Sequence, residues 1–238
     1  MLQMPEAERH EAPDATVIVP ALNEQETLGE VVQRILDLPI RVQVIVVDDG
    51  SSDATPQVLR SFGARIEVIT NERPGGKGTA VRLALGHAKG RAVVIQDADL
   101  EYFPEDIPAL VEPILNGSCG VDYGTRLSQG LPKGMALPNK IVNVLLAWSV
   151  RLLYLRRITD EATCYKAFRS DLPPRMNLKA RHFEICPEMT AKAIRLGERI
   201  VELPIRYAPR TKTAGKKIRW TDAPEAFWTL LKYRFVRF

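Results

Sequence analysis

Short apolar runs alternate with helix-period segments over the first ~125 residues. Ala15–Pro20, Val42–Asp48, Arg65–Thr70, Arg91–Asp97 and Val121–Thr125 have strand length and β-branched content. Val42–Asp48 is apolar enough to be buried on both faces. The segments between them carry helix punctuation. Asn23, with Glu26 three residues on, reads as the cap of a helix running to about Asp37 and stopping before Pro39. Ser52 or Asp53 caps a short helix ending at Gly63, Gly78–Lys89 is a helix closed by Gly90, and Pro104 opens a helix that Gly117 ends. This alternation with short loops predicts an α/β fold: a mostly parallel sheet with helices on both faces. Ligands then belong at the C-terminal ends of the strands.

The second half is less regular. It predicts a helix over Asn139–Leu155, a strand over Thr163–Arg169, a helix over Pro187–Arg195 ending at Gly197, and a strand over Arg199–Arg206. A loop over Pro209–Lys217 and a final helix over about Ala223–Tyr233 follow. On the first of these helices Lys140, Asn143, Ala147 and Arg151 recur at i, i+3, i+7 and i+11, a polar stripe on an otherwise apolar surface. Two readings stand. The stripe is the solvated edge of a core helix, or it faces a site while the apolar flank meets lipid or a membrane partner.

Composition narrows the class. With 238 residues, 45% apolar and 26% charged, the chain is ordinary globular protein, not a disordered, collagenous or disulfide-scaffold sequence. The net charge of +4 is unevenly spread: residues 199–238 hold ten Lys or Arg against three Asp or Glu, so the rest is mildly acidic. No apolar run approaches 18 residues, so no spanning helix is expected. The polar, acidic first 14 residues read as neither a secretory signal nor a transit peptide. Three cysteines without CxxC spacing point to free thiols in a reducing cytoplasm and not to zinc. At the basic end, Trp220, Phe227, Trp228, Tyr233, Phe235 and Phe238 interleave with Lys232, Arg234 and Arg237. That mixture suits an anionic membrane surface; core packing is the plainer alternative for Trp220 and Phe227. Nucleic acid is not expected as a partner, because the body is acidic.

Three acidic clusters fall at strand ends: Asn23-Glu24, Asp48-Asp49-Gly50-Ser51 and Asp97-Ala98-Asp99. Helix capping needs one short acid per helix, whereas several carboxylates crowded on one sheet edge need a cation. All-oxygen donors suit Mg²⁺ or Mn²⁺, which would also hold a diphosphate. No GxGxxG follows the first strand, which disfavours a dinucleotide-binding enzyme.

VIVPALNE (17–24), VVDDGSSDAT (46–55), the Gly-Lys-Gly of GGKGTA (75–80) and QDADLEYFP (96–104) resemble the family 2 glycosyltransferases of the GT-A fold. DYGTR (122–126), TDEATCYKAFR (159–169), HFEICPEMTAKAIRLG (182–197) and VELPIRYAPRTKTAGKKIRW (201–220) resemble its dolichyl-phosphate mannose and glucose synthase branch. The resemblance implies a polar tail over 1–14, a GT-A domain over 15–220 with a nucleotide-sugar half (15–126) and an acceptor half (127–220), and a basic, aromatic, amphipathic helix and tail over 221–238. It places Pro20, Leu22, Glu24, Val47, Asp49 and Ala98 at the nucleotide sugar. Asp97, Asp99 and Glu101 fall on the metal and diphosphate motif. Leu22 replaces a common aromatic, and Glu101 stands where Gln or another polar residue is frequent. Arg126 matches a basic residue facing the phosphates; Lys140 and Asn143, from the polar stripe, are expected beside the acceptor. Arg210 and Lys216 match a pair on the late loop that closes over the diphosphate. Catalysis is then expected from Asp99, Arg126, Arg210 and Lys216, with Mg²⁺ or Mn²⁺ as cofactor. The implied reaction is inverting transfer of a hexose from a GDP-mannose or UDP-glucose type donor to a polyprenyl monophosphate. It would take place peripherally at the cytoplasmic membrane face, with a membrane-anchoring partner as a further expectation. The alternative is a hydroxyl acceptor, served by Glu184, Glu188 or Asp160 as base.

Overall fold

The computed structural model describes residues 12–127, 130, 134–210 and 220–238. Seven strands and eight helices follow one another among them: β1 (Ala15–Ala21), α1 (Leu28–Leu36), β2 (Val42–Asp48), α2 (Thr55–Arg60), β3 (Glu67–Thr70), α3 (Lys77–Leu85), β4 (Ala92–Ile95) and α4 (Ile107–Leu115). Then come β5 (Val121–Thr125), α5 (Leu137–Tyr154), β6 (Lys166–Arg169), α6 (Leu172–Met176), α7 (Ile185–Arg195), β7 (Ile200–Pro204) and α8 (Ala223–Phe235). The sheet order is β3-β2-β1-β4-β6-β5-β7. Every pairing is parallel except those of β6, which runs antiparallel between β4 and β5.

The apolar runs dictate this arrangement. Val17–Val19, Val44–Val47 and Val93–Ile95 are buried almost completely, as central parallel strands covered on both faces must be. Register then aligns the chemistry. Ala21 lies opposite Asp48, and Ile18 opposite Ile95, so all three acidic clusters leave the sheet along one edge.

Several boundaries differ from expectation, for local reasons. Asn23 does not cap α1. It sits in the left-handed region at φ 53°, where Asn is tolerated. Its Oδ1 accepts the Ser52 N–H at 2.8 Å, and its own N–H donates to Ser51 Oγ. Residues 23–25 are thus spent on the neighbouring loop, and the helix starts only at Leu28. Asp53 does serve the start of α2, accepting the Thr55 N–H at 2.9 Å. α3 ends at Leu85, because the Lys89 and Gly90 N–H groups turn back to Thr16 Oγ1.

The C-terminal helix is part of the body rather than a separate tail. Tyr154 Oη donates to the Leu230 carbonyl at 2.6 Å, and Leu230 and Tyr233 share an apolar cluster with Leu146 and Val150. Phe238 packs edge-on against Tyr233, beside Lys192 and Arg195. Tyr233 and Phe238 therefore face inward, while Trp228 and Phe235 stay exposed. The three cysteines are free and buried.

One core residue is ill-matched to its place. Asp122 on β5 is fully buried, and neither carboxylate oxygen has a hydrogen-bond partner among the described residues. Burial, then the negative charge of Glu202, pushes its carboxyl up to about 7. A folded-state pKa above the unfolded one means that the folded chain holds the proton longer. Stability attributable to this site is therefore full below pH ~4, falls as pH rises towards 7, and is level above that. Asp122→Asn is expected to stabilise the chain by about 2 kcal/mol at pH 8, with the gain vanishing near pH 4. Denaturant melts of both proteins across that range check it.

Candidate functional site

A cavity of about 410 Å³ opens on the C-terminal edge of β1, β2 and β4. Pro20, Leu22 and Glu24 form one wall, Asp49 and Lys77 the floor, and Asp97, Ala98 and Asp99 the far side. Val47, expected here, does not reach it: it lies within β2, fully buried in the sheet core. Asp49 is held firmly. Its Oδ1 accepts from Asn71 Nδ2 (2.7 Å) and the Gly75 N–H (2.9 Å), and its Oδ2 from the Gly76 N–H (2.7 Å). The carboxylate thereby shapes the Gly-Gly turn ahead of α3.

That turn sets the floor. Gly76 has φ +90°, and a Cβ there would run into the His182 ring and the Arg181 carbonyl. A Cβ on Gly78 would lie 2.6 Å from the Ala180 carbonyl oxygen. The two glycines let segment 180–183 lie directly on the turn, fixed by the Thr79 N–H donating to the Arg181 carbonyl at 3.1 Å. Lys77 between them is pressed inward and ion-paired to Asp97 Oδ1. Burial pulls the Lys77 ammonium down, but Asp97 raises it further, leaving it well above its usual value and protonated. Gly76→Ala is expected to cost about 2–4 kcal/mol of stability and to displace His182. Thermal unfolding measures the first, and the shift of the His182 ring resonances in NMR the second. Sequence reasoning singled out neither Lys77 nor His182, although the Gly-Lys-Gly spacing was the available signal for Lys77.

The acidic cluster divides into two roles. Asp99 accepts the Glu101 N–H at 3.3 Å and is otherwise crowded. Burial first, then the charges of Asp97 and Glu101, push its carboxyl up to about 8. Glu101 is turned the other way: its Oε1 accepts the Arg210 N–H (2.6 Å) and its Oε2 the Tyr207 hydroxyl (2.8 Å). It straps down segment 207–210, whose Ala208 N–H donates to the Glu101 carbonyl. Glu101 is thus not placed as a third cation ligand, and no group of three His, Cys, Asp or Glu is so placed among the described residues. The like-charge crowding at Asp99, which Arg210 offsets only in part, is with Asp97 two residues away the feature that fits a divalent cation. Arg210 reaches across the cavity to Glu24, Nη1 to Oε2 at 3.1 Å. Lys216 lies outside the described residues, as does the side chain of Trp220.

A second cavity, of about 890 Å³, adjoins the first and shares Asp97, Glu101, His182 and Phe183 with it. Arg126 and Asn143 line it; Lys140 does not, so the stripe on α5 is not one functional unit. Arg126 is committed to fully buried Asp160, Nε to Oδ2 and Nη2 to Oδ1, both at 2.7 Å, with its guanidinium 5.0 Å from the Tyr207 ring centre. The other carboxylates named as bases are engaged too. Glu184 accepts the Arg181 and His182 N–H groups. Glu188 accepts those of Lys179 and Ala180 and pairs with buried Lys192 at 2.6 Å.

Residues 16–168 match the family model Glycosyl transferase family 2. The chain is 28% identical over 208 residues to a dolichol-phosphate mannosyltransferase of Pyrococcus furiosus, covering 84% of this chain and 58% of that one. It is 26% identical over 211 residues to an undecaprenyl-phosphate 4-deoxy-4-formamido-L-arabinose transferase of Edwardsiella ictaluri, covering 84% and 62%. The chain thus spans less than two thirds of either relative. Its fold matches glucosyl-3-phosphoglycerate synthase from Mycobacterium tuberculosis, crystallised with Mn²⁺, uridine-diphosphate-glucose and phosphoglyceric acid. That match has a TM-score of 0.73 at 23% identity and covers 98% and 83% of the two chains.

Proposed function

The chain belongs to glycosyl transferase family 2, and on that footing we propose that it moves a hexose from a nucleotide sugar to a polyprenyl monophosphate at a membrane face, with inversion. The observation that carries this reading is the meeting of two cavities at Asp97 and Glu101. The smaller takes the nucleotide, the larger the acceptor, and the reacting carbon lies between them. The polyprenyl phosphates in the relatives' names support the acceptor.

The acceptor chemistry agrees. A phosphate monoester is ionised at neutral pH and attacks the anomeric carbon without a strong base. Asp160, Glu184 and Glu188, the three carboxylates a hydroxyl acceptor would call on, are spent on structural contacts. Arg126 orients the attacking phosphate, held in place by Asp160. Arg210 stabilises the departing diphosphate from the other side, and Lys216 is assigned to the same task. Asp97 and Asp99 would hold Mg²⁺ or Mn²⁺, which supplies charge neutralisation to the diphosphate. Displacement from the far side converts an α-linked donor into a β-linked product.

The test is turnover with a panel of nucleotide hexoses and a short polyprenyl phosphate, read by mass. We expect a glycosyl phosphoprenol that disappears on adding EDTA and returns with Mg²⁺ or Mn²⁺. Equal transfer to saccharide acceptors without phosphate would contradict the reading.

A further inference from the structure

Of the thirteen large hydrophobic residues exposed among the described residues, eleven lie on α5, α8 and the residues just after them. On α5 and its C-cap, Leu137, Ile141, Leu145, Trp148, Leu152 and Leu155 recur every three or four residues along one face, with Trp148 61% and Leu152 79% exposed. On α8, Trp228, Leu231 and Phe235 do the same, Trp228 at 62% and Phe235 at 74%. The two helices are packed against each other, so two apolar stripes lie side by side. A monomer surrounded only by water rarely exposes apolar surface so concentrated.

Charge says what covers it. α5 has no acidic residue, and α8 has one, Glu225. Arg151, Arg156, Arg157, Lys232, Arg234 and Arg237 are all exposed around the stripes. The Arg151 guanidinium lies 5.3 Å from the Trp148 ring centre. Exposed Trp among aliphatic side chains, ringed by cations, matches the headgroup layer of an anionic bilayer. No described helix is long and apolar enough to cross a membrane, so this surface would lie on the bilayer and not in it.

Position relative to the site completes the argument. The larger cavity is walled by the opposite flank of α5, at Asn139, Val142, Asn143 and Leu146, and by the start of α8, at Asp222 and Ala226. We propose that the paired outer faces of α5 and α8 are a docking surface for an anionic lipid bilayer, which seats the mouth of the larger cavity at the headgroups. The surface is set by two packed helices, and of the last seven residues it takes Lys232, Arg234, Phe235 and Arg237, while Tyr233 and Phe238 point inward. The orientation of the mouth rests on the lipid-acceptor reading; the docking itself does not.

The experiment is flotation of the full chain with phosphatidylcholine vesicles, with and without about 30 mol% phosphatidylglycerol. The wild-type chain should float with the anionic vesicles, less with the neutral ones, and less again at ~0.5 M NaCl. Trp148→Glu combined with Phe235→Glu should lower the bound fraction at least ~10-fold at an unchanged melting temperature. Arg151→Gln with Lys232→Gln should remove the preference for anionic lipid. Both pairs should leave turnover of a water-soluble, short prenyl phosphate intact. Wild-type protein that stays with the pellet overturns the proposal, as does flotation that the paired Glu substitutions leave unchanged. So does a dimer that those substitutions dissolve in a chain that never floats: the face then belongs to a second copy. Flotation that fails while the short acceptor still turns over rejects the surface and keeps the reaction; the converse keeps the surface and rejects the acceptor.

Discussion

Asp160→Ala is expected to lower folding stability by about 3–5 kcal/mol, because it strands a buried guanidinium without its counter-charge. Asp160 is fully buried and Arg126 shows only its cavity-facing edge: Arg126 is held bidentately at 2.7 Å on both arms, and Asp160 also accepts the Arg126 backbone N–H at 2.9 Å. Burial alone pulls the Arg126 guanidinium down, and Asp160 raises it more, so that the net effect keeps it charged. Asp160 is itself positioned by Glu202, whose Oε1 accepts the Asp160 N–H at 3.0 Å. A denaturant melt measures the stability loss. The kinetic signature separates two roles for Asp160. As the group that holds Arg126, its conservative Asn variant raises KM for the acceptor phosphate more than it lowers kcat. As a general base, the same change lowers kcat and leaves KM for the acceptor unmoved.

Asp99→Ala should reduce kcat/KM by about 10³-fold, the scale expected when a group holding the leaving diphosphate's counter-ion is lost. Its effect on stability should run the other way. Asp99 stands buried beside Asp97 and Glu101 and accepts the Glu101 N–H. Removing it relieves like-charge crowding, so the melting temperature should hold or rise while activity collapses. A simple structural role predicts both falling together. Mn²⁺ titration by calorimetry gives the third reading: binding in the presence of nucleoside diphosphate should be lost in the variant.

Much of this was legible from the chain. Strand runs such as Val17–Val19 and Val44–Val47 are buried on both faces and could only be central parallel strands, so the acidic clusters after them had to share one edge. What the sequence left hidden is partner choice. The Thr163–Arg169 run reads as a strand, but nothing local says that its end, Lys166–Arg169, inserts antiparallel between β4 and β5. The resemblance implies Glu101 as a third metal ligand, yet Tyr207, 106 residues later, takes one of its oxygens. Lys77 stands in the sequence only as the middle of a Gly-Lys-Gly motif, and its place on Asp97 depends on Gly76 and Gly78 letting segment 180–183 lie against it. Arg126 is expected to face phosphates, and nothing in the sequence joins it to Asp160, because an ion pair across 34 positions leaves no periodic trace. Asn23 shows the same limit: its cap-like spacing is real, but the Ser52 N–H takes its side-chain oxygen and Ser51 Oγ accepts its own N–H.

The central claim is that an anionic phosphate oxygen displaces the nucleoside diphosphate across the junction of the two cavities. The most direct measurement is ³¹P and ¹H NMR of the product formed from an α-linked nucleotide hexose and a polyprenyl monophosphate. The account predicts a new sugar–phosphate diester with the anomeric centre inverted to β, formed in step with nucleoside diphosphate release. Release without a new diester, a retained α linkage, or a sugar attached to a hydroxyl oxygen would contradict it.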